Sequence, residues 1–157
     1  MSLDSATEYL KQFGVEDRIQ VFDVSSATVD LAAQAVGVEG ARIAKTLSFK
    51  GKEHPMLVVA AGDARVDNKK FKSEFGLKAS MLTHDVVEEL IGHGVGGVCP
   101  FAVKEDVEIF IDSSVKRFPS VYPAVGSANS AIELTPEELF EISHALRWVD
   151  VCKIPEE

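Results

Sequence analysis

The sequence predicts an α/β fold of the mixed, α+β kind, in which helices surround a mixed and partly barrel-like β-sheet. Short strands and capped helices are scattered along the whole chain, which is typical of this class. Two neighbouring strands read as a hairpin, so the sheet contains antiparallel pairing. The 157 residues, 46% of them hydrophobic, are enough to bury a core. With no repeat or linker present, we expect residues 1–157 to form a single domain.

Start and stop signals predict five helices. Ser, Thr and Asp side chains satisfy the free N–H groups at a helix start, and glycine adopts the left-handed conformation that ends one. The last helix also has a proline in its first position and a glutamate that completes a capping box. The predicted helices are Ser5–Phe13, capped by Asp4 or Ser5 and ended by Gly14; Val29–Val36, between Thr28 and Gly37; Asn68–Phe75, between Asp67 and Gly76; one from Thr83 or Asp85 to near Gly92; and one from Thr135 to about Leu146.

Hydrophobic periodicity predicts the strands. Residues 41–50 alternate between two faces, whereas Met56–Ala61 is a continuous apolar run of the kind that is buried on both faces. A turn around residues 51–53 joins these two into the hairpin. The remaining predicted strands are Ile19–Val24, Val107–Ile111, Val121–Val125, Ala131–Leu134 and Trp148–Val151.

The charge is unevenly distributed. The net charge is −9, yet residues 41–80 carry nine basic and four acidic side chains, so this segment is +5 and the remainder is −14. The segment is compatible with a local anion-binding face or with a solvated lysine-rich surface. Binding through many phosphates is disfavoured, and we expect no DNA partner. Because the sequence has no apolar run of about 20 residues and no signal-peptide layout, we expect no membrane association and a cytoplasmic protein.

Several catalytic classes lack their sequence signatures. The four histidines show no metal-ligand spacing, and we expect no metal and no cofactor. No GxSxG motif is present to place a Ser/His/Asp triad. Cys99 and Cys152 form no CxxC pair, so we expect reduced thiols. Cys99 is a candidate nucleophile, but no histidine lies at an interpretable spacing, since His93 is six residues earlier. A small apolar wall residue is the alternative interpretation of this cysteine.

Lys45 is an anomaly in the alternating strand. The period of two places it between Ile43 and Leu47, on the face that should point inward. Burying an ammonium group is costly unless the group is paired, so an inward lysine requires a partner or a ligand. The alternative is that its stem packs inside while the amine reaches the surface.

Two glycine-containing loops are further candidates. Residues 92–100 contain four glycines, whose backbone amides can approach a ligand closely and stabilise a developing oxyanion. The loop matches neither the Walker nor the dinucleotide-binding pattern, and an ordinary flexible loop is the alternative. The second loop, Gly126–Ser130, is equally compatible with a plain hairpin turn.

Several segments follow one another in a distinctive order and spacing, namely Thr28–Gly37 with Arg42–Leu47, Gly62–Lys70, the GxxxP loop Gly96–Pro100 with Phe101, and Gly126–Ser130. Together they resemble the YbaK and prolyl-tRNA synthetase-associated editing domains. The resemblance extends from about Val21 to Leu146 and implies the mixed, partly barrel-like sheet of that family. It also implies a free-standing aminoacyl-tRNA deacylase.

The resemblance also implies roles for individual residues. Lys45 would anchor the 3′-terminal adenosine of tRNA or its phosphate, without acting as a covalent nucleophile. The Gly96–Pro100 backbone would hold the aminoacyl ester and position water, with help from a ribose hydroxyl of the tRNA. The implied catalytic residues are Lys45 and Gly96, and the implied substrate-binding residues are Thr46, Gly97, Val98, Cys99, Pro100, Gly126, Ser127 and Asn129.

One departure from the family leaves the amino acid open. Members that act on cysteinyl- or prolyl-related substrates often have an arginine in the second loop, and Gly126–Ser130 has none. Two other functions also stay open. One is a non-catalytic module of the same fold that associates with an aminoacyl-tRNA synthetase or another protein, and the other is hydrolysis of a different small ester.

Overall fold

The computed structural model describes residues 2–94 and 96–155. Val95, which belongs to the predicted loop 92–100, and the end residues of the predicted domain 1–157 lie outside the described residues. In chain order the elements are α1 (Ser2–Lys11), β1 (Ile19–Val21), α2 (Val29–Val36), β2 (Ile43–Phe49), β3 (Met56–Ala61), β4 (Arg65–Val66), α3 (Asn68–Phe75), α4 (His84–Ile91), β5 (Glu108–Asp112), β6 (Tyr122–Pro123), β7 (Ser130–Ile132), α5 (Pro136–Ile142), β8 (Arg147–Val149) and β9 (Cys152–Lys153).

The main sheet has five strands in the order β6-β2-β3-β5-β8. The predicted hairpin is confirmed, since β2 and β3 pair antiparallel with Lys45 opposite Ala60. All other neighbours in this sheet are parallel. Two small antiparallel sheets, β1-β7 and β4-β9, accompany it. A bridge between Val121 and Leu134 connects β7 to the β6 edge, so the mixed sheet continues beyond its five strands. The predicted mixed α/β class is therefore confirmed.

Local cap chemistry fixes most helix boundaries as predicted. The Thr28 hydroxyl accepts from the Leu31 N–H at the start of α2, and Gly37 ends that helix with φ = 87°. Asp67 accepts from the Lys69 and Lys70 N–H groups at the start of α3. In α5, Thr135 and Glu138 form the predicted capping box.

Two helices differ from their predicted limits. α1 begins at Ser2, so Asp4 and Ser5 lie within the helix and do not cap it. The reason is that Leu3, Ala6 and Leu10 share one face and pack into the core, which extends the helix towards its N-terminus. α5 ends at Ile142, because His144 adopts a left-handed conformation (φ = 57°) before the chain enters β8.

The C-terminal strands also differ from the prediction. The predicted strands 121–125 and 131–134 pair with each other only at the antiparallel Val121–Leu134 bridge, and their longer pairings are those of β6 with β2 and of β7 with β1. The predicted strand Trp148–Val151 is replaced by β8 and β9, which belong to different sheets. The interruption arises because the Val151 N–H donates to the Asp112 side chain at 2.8 Å.

The core lies on both faces of β3, whose six residues are all buried. An aromatic series packs α3 against the sheet, with ring centroids 4.9 Å apart for Phe49 and Phe71 and 4.9 Å apart for Phe75 and Phe110. Ile91 of α4 and Leu139 of α5 are fully buried in the same core. The sheet is therefore covered by helices along its hydrophobic residues.

Asp112 is a buried carboxylate that connects β5 to the C-terminal segment. It accepts from the Ser114 N–H at 3.0 Å and from the Val151 N–H at 2.8 Å, and it is 1% exposed. Asp112→Ala leaves both N–H groups unpaired, and each buried unpaired donor costs about 1–3 kcal/mol. We expect the free energy of unfolding in chemical denaturation to fall by about 2–4 kcal/mol.

Asp106→Ala is the matched control, since Asp106 is an exposed carboxylate. This change is expected to alter the free energy of unfolding by no more than about 0.5 kcal/mol. Equal stability of the two alanine variants would contradict the role assigned to Asp112.

Candidate functional site

A cavity of about 370 Å³ lies beside β2. Its wall consists of residues 26–29 at the start of α2, most of β2, the segment 81–87 leading into α4, and parts of the two glycine-containing loops. A volume of this size is typical of small-ligand sites, which occupy about 300–1,000 Å³. The cavity is therefore the candidate site.

The residues implied by the resemblance fall into two groups. Lys45, Thr46, Gly96 and Val98 line the cavity. The others lie in the two loops but not among the lining residues, and they are Gly97, Cys99, Pro100, Gly126, Ser127 and Asn129. The structure thus brings the strand and both loops together at one place, although most of the implied loop residues do not line the cavity.

The two loops meet backbone to backbone. A Cβ atom at Gly97 would lie 2.7 Å from the carbonyl carbon and oxygen of Gly126, so no side chain fits there. Gly96 has φ = 89°, a left-handed conformation that favours glycine. A Cβ atom at Gly96 would lie 3.4 Å from Ala128 and 3.5 Å from Ala27. Glycine at these two positions therefore permits the close contact that forms one end of the cavity.

Side-chain and backbone groups of the second loop form hydrogen bonds with residues 22–26, next to the cavity. The Asn129 side-chain amide donates to the Phe22 carbonyl at 3.0 Å, and the Phe22 N–H donates to the Asn129 carbonyl at 2.8 Å. The Ser127 hydroxyl lies 2.7 Å from the Ser130 hydroxyl, and Ser26 donates its N–H to Ala128 at 2.6 Å. These bonds fix residues 22–26 against the loop and so position the N-terminal end of α2.

Lys45 is half-buried and has protein partners. Its amine donates to the carbonyl oxygens of Gly62, at 3.4 Å, and of Ala64. Burial lowers the pKa of this amine, an effect that Cys152 and Asp63 oppose. The inward orientation predicted from the alternation thus places the charge against the turn that follows β3.

Arg117 holds this turn in place. Its guanidinium binds both carboxylate oxygens of Asp63, at 3.1 and 2.5 Å, and donates through Nε to the Ser114 carbonyl at 2.9 Å. The hydrogen bond from Arg117 lowers the pKa of Asp63. The carbonyl oxygens that accept hydrogen bonds from Lys45 therefore belong to a turn that the Asp63–Arg117 ion pair holds in place.

Cys99 has a histidine neighbour that the sequence spacing did not indicate. His93 Nε2 lies 3.5 Å from Cys99 Sγ and 2.6 Å from the Phe101 carbonyl oxygen. Because a carbonyl can only accept, Nε2 carries the proton and donates to Phe101, and it cannot serve as a base for the thiol. Burial lowers the pKa of His93 and raises that of Cys99 to about 12. The pair therefore lacks the properties of a thiolate nucleophile.

Sequence reasoning missed several residues of the wall. Ser26, Met81, Leu82 and His84 all line the cavity. The hydroxyl oxygens of Ser26 and Thr46 are buried and have no hydrogen-bond partner within residues 2–94 and 96–155. The small residues before the Thr28 cap were a signal for a close approach at this place, whereas segment 81–84 gave none. Within the same described ranges, no group of three or more His, Cys, Asp or Glu residues is placed to hold a metal.

The basic residues of the segment 41–80 are partly paired. Arg42 donates to the Ser120 carbonyl at 3.2 Å and stacks on Tyr122, while Lys70 binds Asp150 at 3.0 Å. Six others are exposed, namely Lys50, Lys52, Arg65, Lys69, Lys72 and Lys78. Among the described helices, none is long and apolar enough to cross a membrane.

Three known proteins are similar to this chain in sequence. The Bacillus subtilis protein YwhH, which is uncharacterized, is 52% identical over 98% of both chains. A candidate Cys-tRNA(Pro)/Cys-tRNA(Cys) deacylase of Enterococcus faecalis, EbsC, is 27% identical over 74% of this chain and 73% of its own. A proline–tRNA ligase of Bacillus cereus is 26% identical over 89% of this chain, which spans 24% of the ligase.

A solved structure shows the same architecture. The crystal structure of a candidate trans-editing enzyme for prolyl tRNA synthetase superposes with a TM-score of 0.87, at 28% identity and over 97% of both chains. The sequence profile of the aminoacyl-tRNA editing domain matches residues 24–142, a range that contains β2, both loops and the whole cavity. The chain therefore belongs to the aminoacyl-tRNA editing domain family.

Proposed function

We propose that this protein hydrolyses mischarged aminoacyl-tRNA in trans, by cleaving the ester between the amino acid and the 3′ end of the tRNA. Residues 1–157 would act as one domain in the cytoplasm, where the substrate is found. The observation that carries the proposal is the cavity in which β2, with Lys45 and Thr46, meets the glycine loop at Gly96 and Val98. Membership of the editing family supports the same reaction.

The cavity supports a mechanism that relies on backbone groups and on the substrate. Within the described part of its wall there is no carboxylate, and its histidine, His84, is exposed at the start of α4. The backbone at Gly96–Pro100 would face the ester and position water, and a ribose hydroxyl of the tRNA would take part in proton transfer. Lys45 would anchor the terminal adenosine or its phosphate by exchanging a carbonyl partner for the substrate. Preorganised amides of this kind stabilise charge that develops on an ester oxygen.

A non-catalytic module is the second candidate function. The observation that favours it is the match to about a quarter of a proline–tRNA ligase, in which a segment similar to this chain is part of a larger synthetase. Association of this chain with a synthetase, without hydrolysis, would then be its function.

A panel of aminoacyl-tRNAs tests the proposal. Each is incubated with the purified protein, and release of free amino acid is measured against a reaction without protein. We expect accelerated release from at least one mischarged tRNA. No release from any member, together with binding to a synthetase, would favour the non-catalytic module. Simple small-molecule esters are assayed alongside the panel, and cleavage of these esters alone would indicate an esterase of a different kind.

Lys45→Ala is expected to lower the deacylation rate about 100-fold or more, as loss of a charge-stabilising contact does in other enzymes. Lys45→Arg is also expected to be impaired, because a planar guanidinium does not replace a compact ammonium. The rates are measured on the tRNA identified in the panel, with the melting temperature as a check on folding. Near-normal activity of a stably folded alanine variant would exclude Lys45 from the site.

Cys99→Ala is expected to keep the deacylation rate within about tenfold of that of the unmodified protein. Loss of a true nucleophile would lower the rate much more than this. The physical reason is that the thiol is fully buried and its raised pKa keeps it protonated. Gly97→Val is expected to be far more damaging, since its side chain would overlap the Gly126 backbone. Intact-mass measurement during turnover provides an independent check. Detection of an acyl group on Cys99 would refute the backbone mechanism.

A further inference from the structure

The edge of β2 that faces away from β3 is hydrogen-bonded to other segments at both ends of the strand but not in the middle. Towards its start, Ala44 pairs with Pro123 of β6. Towards its end, the Leu82 N–H donates to the Ser48 carbonyl at 3.0 Å and the Lys50 N–H donates to the Ser80 carbonyl at 2.8 Å. After Leu82 the chain turns into α4 and leaves this edge. Thr46 therefore lies in a gap between two neighbouring segments.

The backbone of Thr46 points into this gap. In an antiparallel ladder, alternate residues direct both their N–H and C=O groups to the same side. Ser48 and Lys50 follow Thr46 at intervals of two residues, and their backbone groups form hydrogen bonds on the side away from β3. The N–H and C=O of Thr46 therefore point to that side as well. Within the described ranges, no residue outside the sheet forms a hydrogen bond with the Thr46 backbone. The gap opens onto the cavity, since Ala44, Thr46 and Ser48 all line it.

An unpaired N–H and C=O on one residue match a particular ligand geometry. In a hydrogen-bonded pair of an antiparallel sheet, each residue donates its N–H to the other's carbonyl. An α-aminoacyl ester offers the same two groups around one carbon, with an ammonium as donor and an ester carbonyl as acceptor. Exposed sheet edges bind extended peptides by this kind of pairing.

We propose that the aminoacyl group of the substrate binds as a one-residue strand against Thr46. Its ammonium donates to the Thr46 carbonyl oxygen, and its ester carbonyl accepts from the Thr46 N–H. This inference rests on the proposed function and makes the free α-amino group of the aminoacyl ester part of what the site recognises. The hydrogen bond to the ester carbonyl also polarises the bond that is hydrolysed.

The composition of the wall supports this recognition. The described wall contains no carboxylate, so an ammonium that enters must bind to neutral oxygen atoms. Ser26 is 8% exposed, lines the same cavity and has an unpartnered hydroxyl, as has Thr46. Either hydroxyl would supply a further acceptor once rotation about Cα–Cβ exposed it to the cavity. Lys45 does not compete for these oxygens, because its amine binds the carbonyls of Gly62 and Ala64.

A pair of substrates that differ only in the α-amino group tests the inference on the unmodified protein. One is the tRNA ester of the amino acid that the protein releases, and the other is the same tRNA carrying the des-amino acid. Each rate is divided by the spontaneous hydrolysis rate of that ester, because the ammonium itself activates the carbonyl. We expect the normalised kcat/KM to fall about 10- to 100-fold when the charged hydrogen-bond donor is removed.

The outcomes separate the inference from the function on which it rests. Equal normalised rates for the two esters would overturn the pairing with Thr46 and leave the deacylase intact. Cleavage of neither ester would overturn the deacylase and the pairing together. An α-hydroxy ester, which keeps one neutral donor, is expected to fall between the two.

Thr46→Pro is the complementary change in the protein. Proline removes the N–H that faces the gap but leaves the pairing of β2 with β3, and proline is tolerated where a strand edge is unpaired. Thr46→Val is the matched control, which removes the hydroxyl and keeps the N–H. We expect kcat to fall at least about tenfold further in the proline variant. Equal kcat in the two folded variants would show that the N–H is not used. If the proline variant does not fold, the substrate pair decides.

Discussion

The antiparallel pairing of β2 with β3 is the constraint on which the rest of the structure depends. It buries all of β3 between β2 and β5 and gives the core its two faces. It also decides the direction of every backbone group on β2, since residues bonded to β3 cannot also face outward. The same ladder therefore sets both the direction of the Lys45 side chain and the direction of the Thr46 backbone groups.

The cavity depends on the sheet edge and on the contact between the two loops. Gly97 lies against Gly126, and this contact brings Gly96 and Val98 up to the wall formed by β2. The Asn129 side chain and the backbone carbonyls of Ala128 and Asn129 hold residues 22–26, so the second loop supports the cavity from outside it. Under the proposed mechanism the site would rely on main-chain groups, whose positions follow from the fold as a whole rather than from any one side chain.

The sequence predicts those features that depend on local chemistry. The ends of α2, α3 and α5 follow from cap residues that act within one turn of the helix, and β3 follows from an unbroken apolar run. The inward position of Lys45 follows from alternation along a single strand. The family resemblance, which rests on the order of several motifs, correctly identified the fold class.

Features that depend on distant partners could not be predicted in this way. The strands on either side of residues 126–130 meet at the Val121–Leu134 bridge, as in a hairpin, but their longer pairings are with β2 and β1, which lie far away in the sequence. The contact between His93 and Cys99 requires the loop to fold back on itself, which spacing alone does not reveal. Segment 81–84 reaches the cavity only because residues 80–82 pair with the end of β2.

The uneven charge, by contrast, can be predicted directly from the sequence, and it has a consequence for binding. A polyanion that meets six exposed basic side chains between residues 50 and 78, on a chain of net charge −9, releases few counterions. Under the proposed function, the affinity for tRNA would therefore depend only weakly on the salt concentration.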